Sequence, residues 1–260
     1  MTDPAKDSTK TNKDLDFYDN DEHSYEEFWE TREYEHLAEE VALRRLLKGK
    51  HFNQAMDFGG GYGRLAPVLF NYVDHLTLVD PSVNQLAIAK QKFKQDTKLD
   101  YLLLNEKNYI PAKDNSIDLL LMIRVSHHVL DPNKLFQEIY RTLTPNGYAV
   151  IEVASNAHFV NRLKLIPKLQ TPSKTPIRVG KIANGIKEDT PFVNHNPSTI
   201  IKQLEAAHLK YVSKLSVSNL RSQFLKKHLV QKDLLRMEAF LQNKLSYINF
   251  GPSIFILVKK

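Results

Sequence analysis

The 260-residue sequence predicts an α/β protein built on a mostly parallel sheet with helices on both faces. Three observations carry that prediction. Short apolar runs suited to strands buried on both faces recur between segments of helical periodicity. The first run, Ala55-Met-Asp-Phe58, enters a glycine turn, Gly59-Gly-Gly-Tyr-Gly63, followed by apolar residues at helical spacing from Arg64 to Val73. The next, Leu76-Thr-Leu-Val-Asp80, closes on a carboxylate about twenty residues beyond the turn, where a βαβ unit presents an acid to two ribose hydroxyls.

The elements follow in order. Residues 1–22 are polar and acidic, and they predict disorder. Residues 23–49 hold a helix from Tyr25 to Leu47, in which Phe28, Trp29, Leu37 and Val41 interleave with charges. Tyr25, Trp29, Arg32, Tyr34 and His36 on it are candidates for a lid, or for packing on the core through their aromatic rings. Residues 50–155 form the ligand-binding core. Within it, Asp118-Leu-Leu-Leu-Met-Ile123 reads as a buried strand, and Arg124-Val-Ser-His-His128 stands at its C-terminal end, where open α/β sheets place their ligands. Phe136 to Leu143 reads as a helix, Thr144-Pro-Asn-Gly147 breaks it, and Tyr148 to Val153 is a further strand.

Residues 156–196 carry Pro167, Pro172, Pro176, Pro191, Gly180 and Gly185 among lysines, and predict a cap inserted on the substrate side. Residues 197–260 return to the sheet domain. They comprise a helix from Pro197 to His208, an alternating strand from Lys210 to Val217, a helix over Phe224 to Leu245, and a last strand from Pro252 to Val258.

The glycine spacing separates two nucleoside ligands. A dinucleotide fingerprint needs Gly-x-Gly-x-x-Gly/Ala, and its third position falls on Arg64. What stands instead is Gly59-x-Gly61-x-Gly63, with Asp57 two residues ahead. A carboxylate there repels a pyrophosphate and suits a ligand bearing an ammonium group. The order acid, Gly-x-Gly-x-Gly, acid resembles the class I S-adenosylmethionine-dependent methyltransferases.

Asn105-Glu-Lys107 with Ile110-Pro-Ala-Lys-Asp-Asn-Ser-Ile-Asp118 resembles the adenine-side segment of the small-molecule group, the type 11 or quinone-biosynthesis-like members. Thr144-Pro-Asn-Gly147 resembles that family's Pro-Gly-Gly turn, with Asn146 in place of the first glycine. The resemblance covers roughly residues 50–155. It implies a Rossmann-like seven-stranded sheet with an antiparallel last strand, and S-adenosyl-L-methionine as cofactor. It also implies a transferase activity of EC 2.1.1.-, placing a methyl group on an O, N or C atom of a small molecule. The implied cofactor set is Asp57 toward the ammonium, Gly59, Gly60, Gly61 and Gly63 at the turn, Asp80 and Pro81 at the ribose, Glu106 and Lys107 at the adenine, and Arg124.

The rest bounds the function classes. The sequence has no cysteine, which removes disulfides, thiolate metal sites and cysteine nucleophiles, including the adduct chemistry of pyrimidine C5 methylation. No metal site is expected. No apolar run reaches the ~20 residues of a membrane span, and a soluble, cytoplasmic protein is expected.

The net charge of +6 is uneven: residues 1–40 hold 14 Asp/Glu against 4 Lys/Arg, or −10, leaving +16 elsewhere. That basic excess makes an RNA methyltransferase the second reading, with nucleic acid a less favoured partner than a small-molecule acceptor. A non-catalytic S-adenosylmethionine-binding protein is the third reading. His127 and His128 are the candidate bases, with one expected to face the site; His158 and His195 rank lower. Arg124 has three candidate partners: an anionic substrate, the cofactor carboxylate or Glu106. The oligomeric state is not encoded in any recognisable pattern.

Overall fold

A computed structural model describes residues 29–106, 108–183 and 186–260. The expected disordered segment 1–22, Tyr25 and Lys107 lie outside the described residues.

Seven strands form one sheet: β1 Phe52–Phe58, β2 Val73–Asp80, β3 Leu99–Leu103, β4 Ile117–Met122, β5 Leu143–Ala154, β8 Lys210–Val217 and β9 Ser253–Lys259. Their order is β3-β2-β1-β4-β5-β9-β8. The first five pair in parallel, and β9 runs antiparallel to both β5 and β8. This is the seven-stranded, mostly parallel sheet with one antiparallel last strand that the sequence led us to expect.

The central strands read as continuous apolar runs because both faces are covered. In β4, Leu119 and Leu121 enter one core while Leu120 and Met122 enter the other. Asp118, at the entry to β4, accepts from the backbone N–H groups of Asn53 and Gln54, both at 3.1 Å, and from the Thr144 hydroxyl at 3.0 Å. That one carboxylate fixes the starts of three strands.

The first face is covered by α1 (Glu33–Leu46), α2 (Ala66–Leu69) and α3 (Val83–Lys92). The second is covered by α4 (Asn133–Thr142), through Leu135, Phe136 and Ile139, and by α6 (Pro197–Ala206), through Ile200 and Leu204. Between them in sequence lies α5 (Phe159–Leu165). The chain ends with α7 (Gln223–His228), α8 (Gln231–Ser246) and β9.

Two local expectations need correction, and a third segment gains its detail. The helix expected over residues 64–73 is the single turn α2, because Gly59, Gly61 and Gly63 hold the chain in left-handed conformations ahead of it and β2 already begins at Val73. The helix expected from Phe224 to Leu245 is split by extended backbone at Leu229 and Val230. Residues 156–196 contain α5, a 3-10 turn at Ile166–Lys168, and a hairpin of β6 (Ile177–Ala183) with β7 (Ile186–Asn194). Prolines, glycines and lysines interrupt the apolar alternation there and hide the hairpin in the sequence. Asn146 takes φ +71°, so asparagine fills the left-handed position of the expected turn.

Buried polar contacts fasten α1 to α8. The Tyr34 hydroxyl donates to Glu238 at 2.8 Å and accepts from the Leu220 N–H at 3.1 Å, while Gln242 donates to the Ala38 carbonyl at 2.9 Å. Burial beside Glu238 pushes the Tyr34 phenol far up, so it stays a donor. Tyr34→Phe is expected to lower unfolding free energy by about 1–3 kcal/mol in urea denaturation, since it leaves Glu238 short of a donor in a dry place.

Candidate functional site

The glycine turn lies at the C-terminal ends of β1, β2 and β4. The N–H groups of Gly59 and Gly60 both donate to the Val79 carbonyl, at 2.7 and 3.2 Å. The Gly61 N–H donates to one Asp80 carboxylate oxygen at 2.8 Å, and the Ser82 N–H donates to the other at 2.9 Å. Leu104 N–H donates to the Asp80 carbonyl at 3.0 Å, which brings the loop after β3 to the same edge. Gly59 sits at φ +78°, and a Cβ on it would collide with Val125. A Cβ on Gly60 would stand 2.8 Å from Leu78 and 3.0 Å from the Asp57 carboxyl carbon. No larger residue fits at either position without displacing the acid or the β4 edge.

Asp57 is buried at the end of β1. Burial, with the nearby Asp80 charge adding to it against the pull of Arg64, pushes its carboxyl up to about 7. An acid held this far above its ordinary range suits a cation.

Arg64 and Arg124 converge on one carboxylate of α1. Glu39, with no exposed surface, accepts from Arg64 at 2.5 Å and from the Nε and a terminal nitrogen of Arg124 at 2.8 and 2.5 Å. Burial raises the Glu39 carboxyl, and the guanidinium groups of Arg124 and Arg64 overcome this and hold it below its usual range. Arg64 also lies 3.6 Å above the Trp29 ring and contacts His36 Nδ1 at 2.6 Å. Arg124 takes φ +62°, a left-handed conformation unfavourable for its side chain. Its backbone N–H donates to buried Glu152 at 3.2 Å, and Glu152 in turn accepts from Ser253 at 2.6 Å. Among the described side chains, the Arg124 guanidinium pairs with Glu39.

Asp57, Gly59, Gly60, Arg64, Leu65, Ile123 and Arg124 line a cavity of about 20 Å³, room for about one water. In this closed arrangement, α1 covers the turn. A cleft of about 600 Å³ opens elsewhere, on the sheet face lined by Met56, Thr77, Tyr101 and Pro111, and none of the expected site residues lines it.

The structure brings Asp57, Gly59, Gly60 and Arg124 to one cavity, with Gly61, Gly63 and Asp80 on the same turn. Pro81 is half-buried behind Asp80, and Glu106 is exposed on the loop after β3. His127 and His128 lie in a 3-10 turn (Ser126–His128), their rings 4.1 Å apart and each 5.1 Å from the Phe192 ring of β7. Both rings therefore share one environment against β7. Burial lowers His127 well below its ordinary range, with His128, Arg124 and His195 adding to the shift; burial alone brings His128 to about 4.

His195 is a brace. Its Nε2 lies 3.1 and 2.9 Å from the carbonyls of Ser126 and Val129, and its backbone bonds β5 at Ala154. His158 caps α5, accepting from the Asn161 N–H at 3.3 Å. Sequence reasoning missed Glu39 and Glu152. Glu39 is one of several glutamates in α1 and Glu152 a lone acid in the apolar β5, and only the two arginines at turn positions hinted at a buried anion. Among the described residues, no group of three or more His, Asp or Glu side chains is arranged to hold a metal ion. No helix among them is long and apolar enough to cross a membrane.

Comparison with known proteins agrees with this geometry. Residues 56–151 match the family described as a methyltransferase domain. The chain thus carries a methyltransferase domain on a seven-stranded sheet with the class I S-adenosylmethionine-dependent methyltransferase fold, and S-adenosylmethionine is the cofactor of that kind of domain. A malonyl-[acyl-carrier protein] O-methyltransferase of Marinomonas sp. is 30% identical over 45% of this chain and 45% of its own length. The chain thus spans a little under half of that relative. A methyltransferase from Haloferax volcanii, solved with the Trm112 methyltransferase activator, shares the fold at 16% identity and TM-score 0.60, covering 90% of this chain and 92% of that one. Phosphoethanolamine N-methyltransferase 2 of Haemonchus contortus, solved with S-adenosyl-L-methionine, shares it at 17% identity and TM-score 0.53, over 85% of this chain and 52% of that one.

Glu39→Ala leaves two arginines without their buried anion. The expected loss is about 3 kcal/mol of unfolding free energy, several times that of removing an exposed acid such as Asp233, and thermal or urea denaturation measures it.

Proposed function

We propose that this chain transfers the S-adenosylmethionine methyl group to an O, N or C atom of a small-molecule acceptor. The observation that carries the reading is Asp57, a buried acid beside Asp80 whose carboxyl is pushed up to about 7. Two acids this close in a dry turn are complementary to a cationic nucleoside ligand and opposed to a pyrophosphate. Asp57 would hold the ammonium group, Asp80 the ribose hydroxyls, and Glu106 with Lys107 the adenine edge. Gly59, Gly60, Gly61 and Gly63 permit close approach of backbone, with Pro81 setting the exit from β2. Arg124 supplies positive charge at the carboxylate end. Admission requires α1 to shift, because Glu39 and its two arginines close a cavity of only about 20 Å³.

The cofactor, when bound, supplies an electrophilic methyl on a sulfonium. The chain's own task is to align an acceptor and exclude water. His127 and His128 are neutral near pH 7 and weak as bases, since an efficient general base has a pKa near the working pH. They suit an acceptor whose nucleophile already carries its lone pair, such as a carboxylate or an amine. The printed function of the Marinomonas relative, O-methylation of a malonyl group on an acyl-carrier protein, supports an acceptor whose nucleophile is of that kind.

Three measurements test the reading. Titration calorimetry should show S-adenosylmethionine binding that falls at least about tenfold in Asp57→Ala and in Asp80→Ala; no binding to the wild type would overturn the proposal. Asp57 carries a proton in the free protein below about pH 7, where an unfolded chain would have released it above about pH 4. Folding is therefore favoured at the acid end of that window, and stability falls as pH rises through it. Cofactor affinity has the opposite sign: it rises about tenfold per unit from about pH 5 to about pH 7 and then levels, and Asp57→Asn flattens the slope. Finally, His127→Gln and His128→Gln should each retain turnover within about tenfold of wild type, whereas an essential base would lose about a hundredfold or more.

A further inference from the structure

The segment after β5 is the longest stretch of the chain without an acid. Between Val153 and Lys187 there is no Asp or Glu, while Arg162, Lys164, Lys168, Lys174, Arg178, Lys181 and Lys187 are all cationic. In α5 and the 3-10 turn that follows it, no residue is buried. Phe159 is 40% exposed, Val160 53%, Leu163 48%, Ile166 63% and Leu169 97%. Positions i, i+1, i+4 and i+7 of a helix fall on one face, so Phe159, Val160, Leu163 and Ile166 form a single apolar stripe. Leu169 follows at φ +53°, in the left-handed conformation that ends the turn, and it projects as the tip.

A helix with an unburied apolar stripe is unstable on its own, yet this one is firmly attached. Phe159 stacks on Phe250 with ring centroids 4.7 Å apart, and its N–H donates to the Phe250 carbonyl at 2.9 Å. Arg162 donates to the Ala157 carbonyl at 2.7 Å, and Asn156 donates to Ser173 at 3.0 Å. The stripe is thus held outward by its ends. Lys164 and Lys168 flank it, and neither forms an ion pair among the described residues. The turn before Phe250 extends the apolar area through exposed Tyr247 and Ile248.

From this we infer that α5 and its 3-10 turn form a docking surface for an anionic lipid bilayer, with Ile166 and Leu169 entering the acyl boundary and Lys164 and Lys168 meeting the headgroups. Two properties of the surface choose this occupant. Lys164 and Lys168, in no ion pair among the described residues and set in a 35-residue stretch without acids, call for an anionic partner, and a protruding, fully exposed leucine needs one that can be penetrated. A bilayer rich in anionic headgroups supplies both. A small acidic protein supplies the charge, but the convex tip at Leu169 offers it no groove to fill.

The placement has a consequence for the acceptor, and this step rests on the proposed methyl transfer. α5 leaves the sheet at the C-terminal end of β5, on the same edge as Asp57, Asp80 and Arg124. Docking through it turns that edge toward the membrane, which fits an amphiphilic acceptor with a polar head and an apolar tail.

Co-sedimentation of the full chain with phosphatidylcholine vesicles containing phosphatidylglycerol tests the docking without any methyl transfer, so its failure is distinct from failure of the enzymatic reading. Partition should be strong on these vesicles, weaken with added salt and be lost on pure phosphatidylcholine. Ile166→Asp and Leu169→Asp should each reduce it about tenfold or more, and Lys164→Ala and Lys168→Ala about fivefold each. All four side chains are exposed, so S-adenosylmethionine binding should persist in every variant and confirm the fold. Leu169→Trp adds a direct readout, a blue-shifted emission on anionic vesicles that a purely electrostatic contact does not give. Absence of partition, partition unchanged by these substitutions, or no emission shift from Leu169→Trp would overturn the inference. So would binding of a purified acidic protein through the same lysines without any affinity for vesicles.

Discussion

The arrangement depends above all on one buried carboxylate. Glu39 has no contact with water, and an isolated charge in such a place costs several kcal/mol. It is tolerable because Arg64 and Arg124 both reach it. Those two residues come from different parts of the sheet edge, one just past the glycine turn and the other at the end of β4. Glu39 itself comes from α1. The pairing therefore makes α1, the turn and the β4 edge a single unit. It also explains why an arginine stands where a dinucleotide-binding turn would require a small residue: Arg64 turns away from the strand, across the Trp29 ring, and onto α1.

The same charges set the electrostatics of the site. Burial and the Asp80 charge raise Asp57, and Arg64 is the near cation that opposes this. Because Arg64 is also bound to Glu39, its charge is already divided. A shift of α1 that loosened Glu39 would leave Arg64 and Arg124 free to compensate anions at the turn. On the proposed reading, a shift of α1 and preparation of the cofactor site would be one electrostatic event. Arg124 bears the geometric cost of this in its left-handed backbone, which Glu152 and Ser253 hold from below.

The backbone logic of the site was legible in the sequence because it is written in residues with special geometry. Gly59 and Gly60 tolerate no Cβ, Asp80 ends a strand against the turn's own N–H groups, and Asn146 stands in for a glycine at φ +71°. Strands buried on both faces left continuous apolar runs such as Leu119 to Met122, so the sheet could be read as well. Long-range polar pairing was not legible. Glu39 sits in a helix rich in acids and looks like any solvated residue of α1, and its partners lie 25 and 85 positions away. Arg124 was visible as an oddity, but its partner could not be chosen. The β6–β7 hairpin was hidden because its strands pair only with each other, so no continuous core demanded apolar alternation from them.

The histidines show how packing changes what a residue type can do. His127 and His128 occupy the right edge of the sheet, and imidazole is the side chain that titrates near neutrality in water. Packed against one another and against Phe192, with Arg124 close to His127, they lose that property. What remains is a neutral, aromatic wall beside a strongly acidic cofactor turn. On the proposed reading, such a wall would orient an acceptor by shape and by weak polar contacts and do little to take its proton. The burden of nucleophilicity would then fall on the acceptor, and the protein's share would be alignment: a closed turn, a covered edge and a fixed approach.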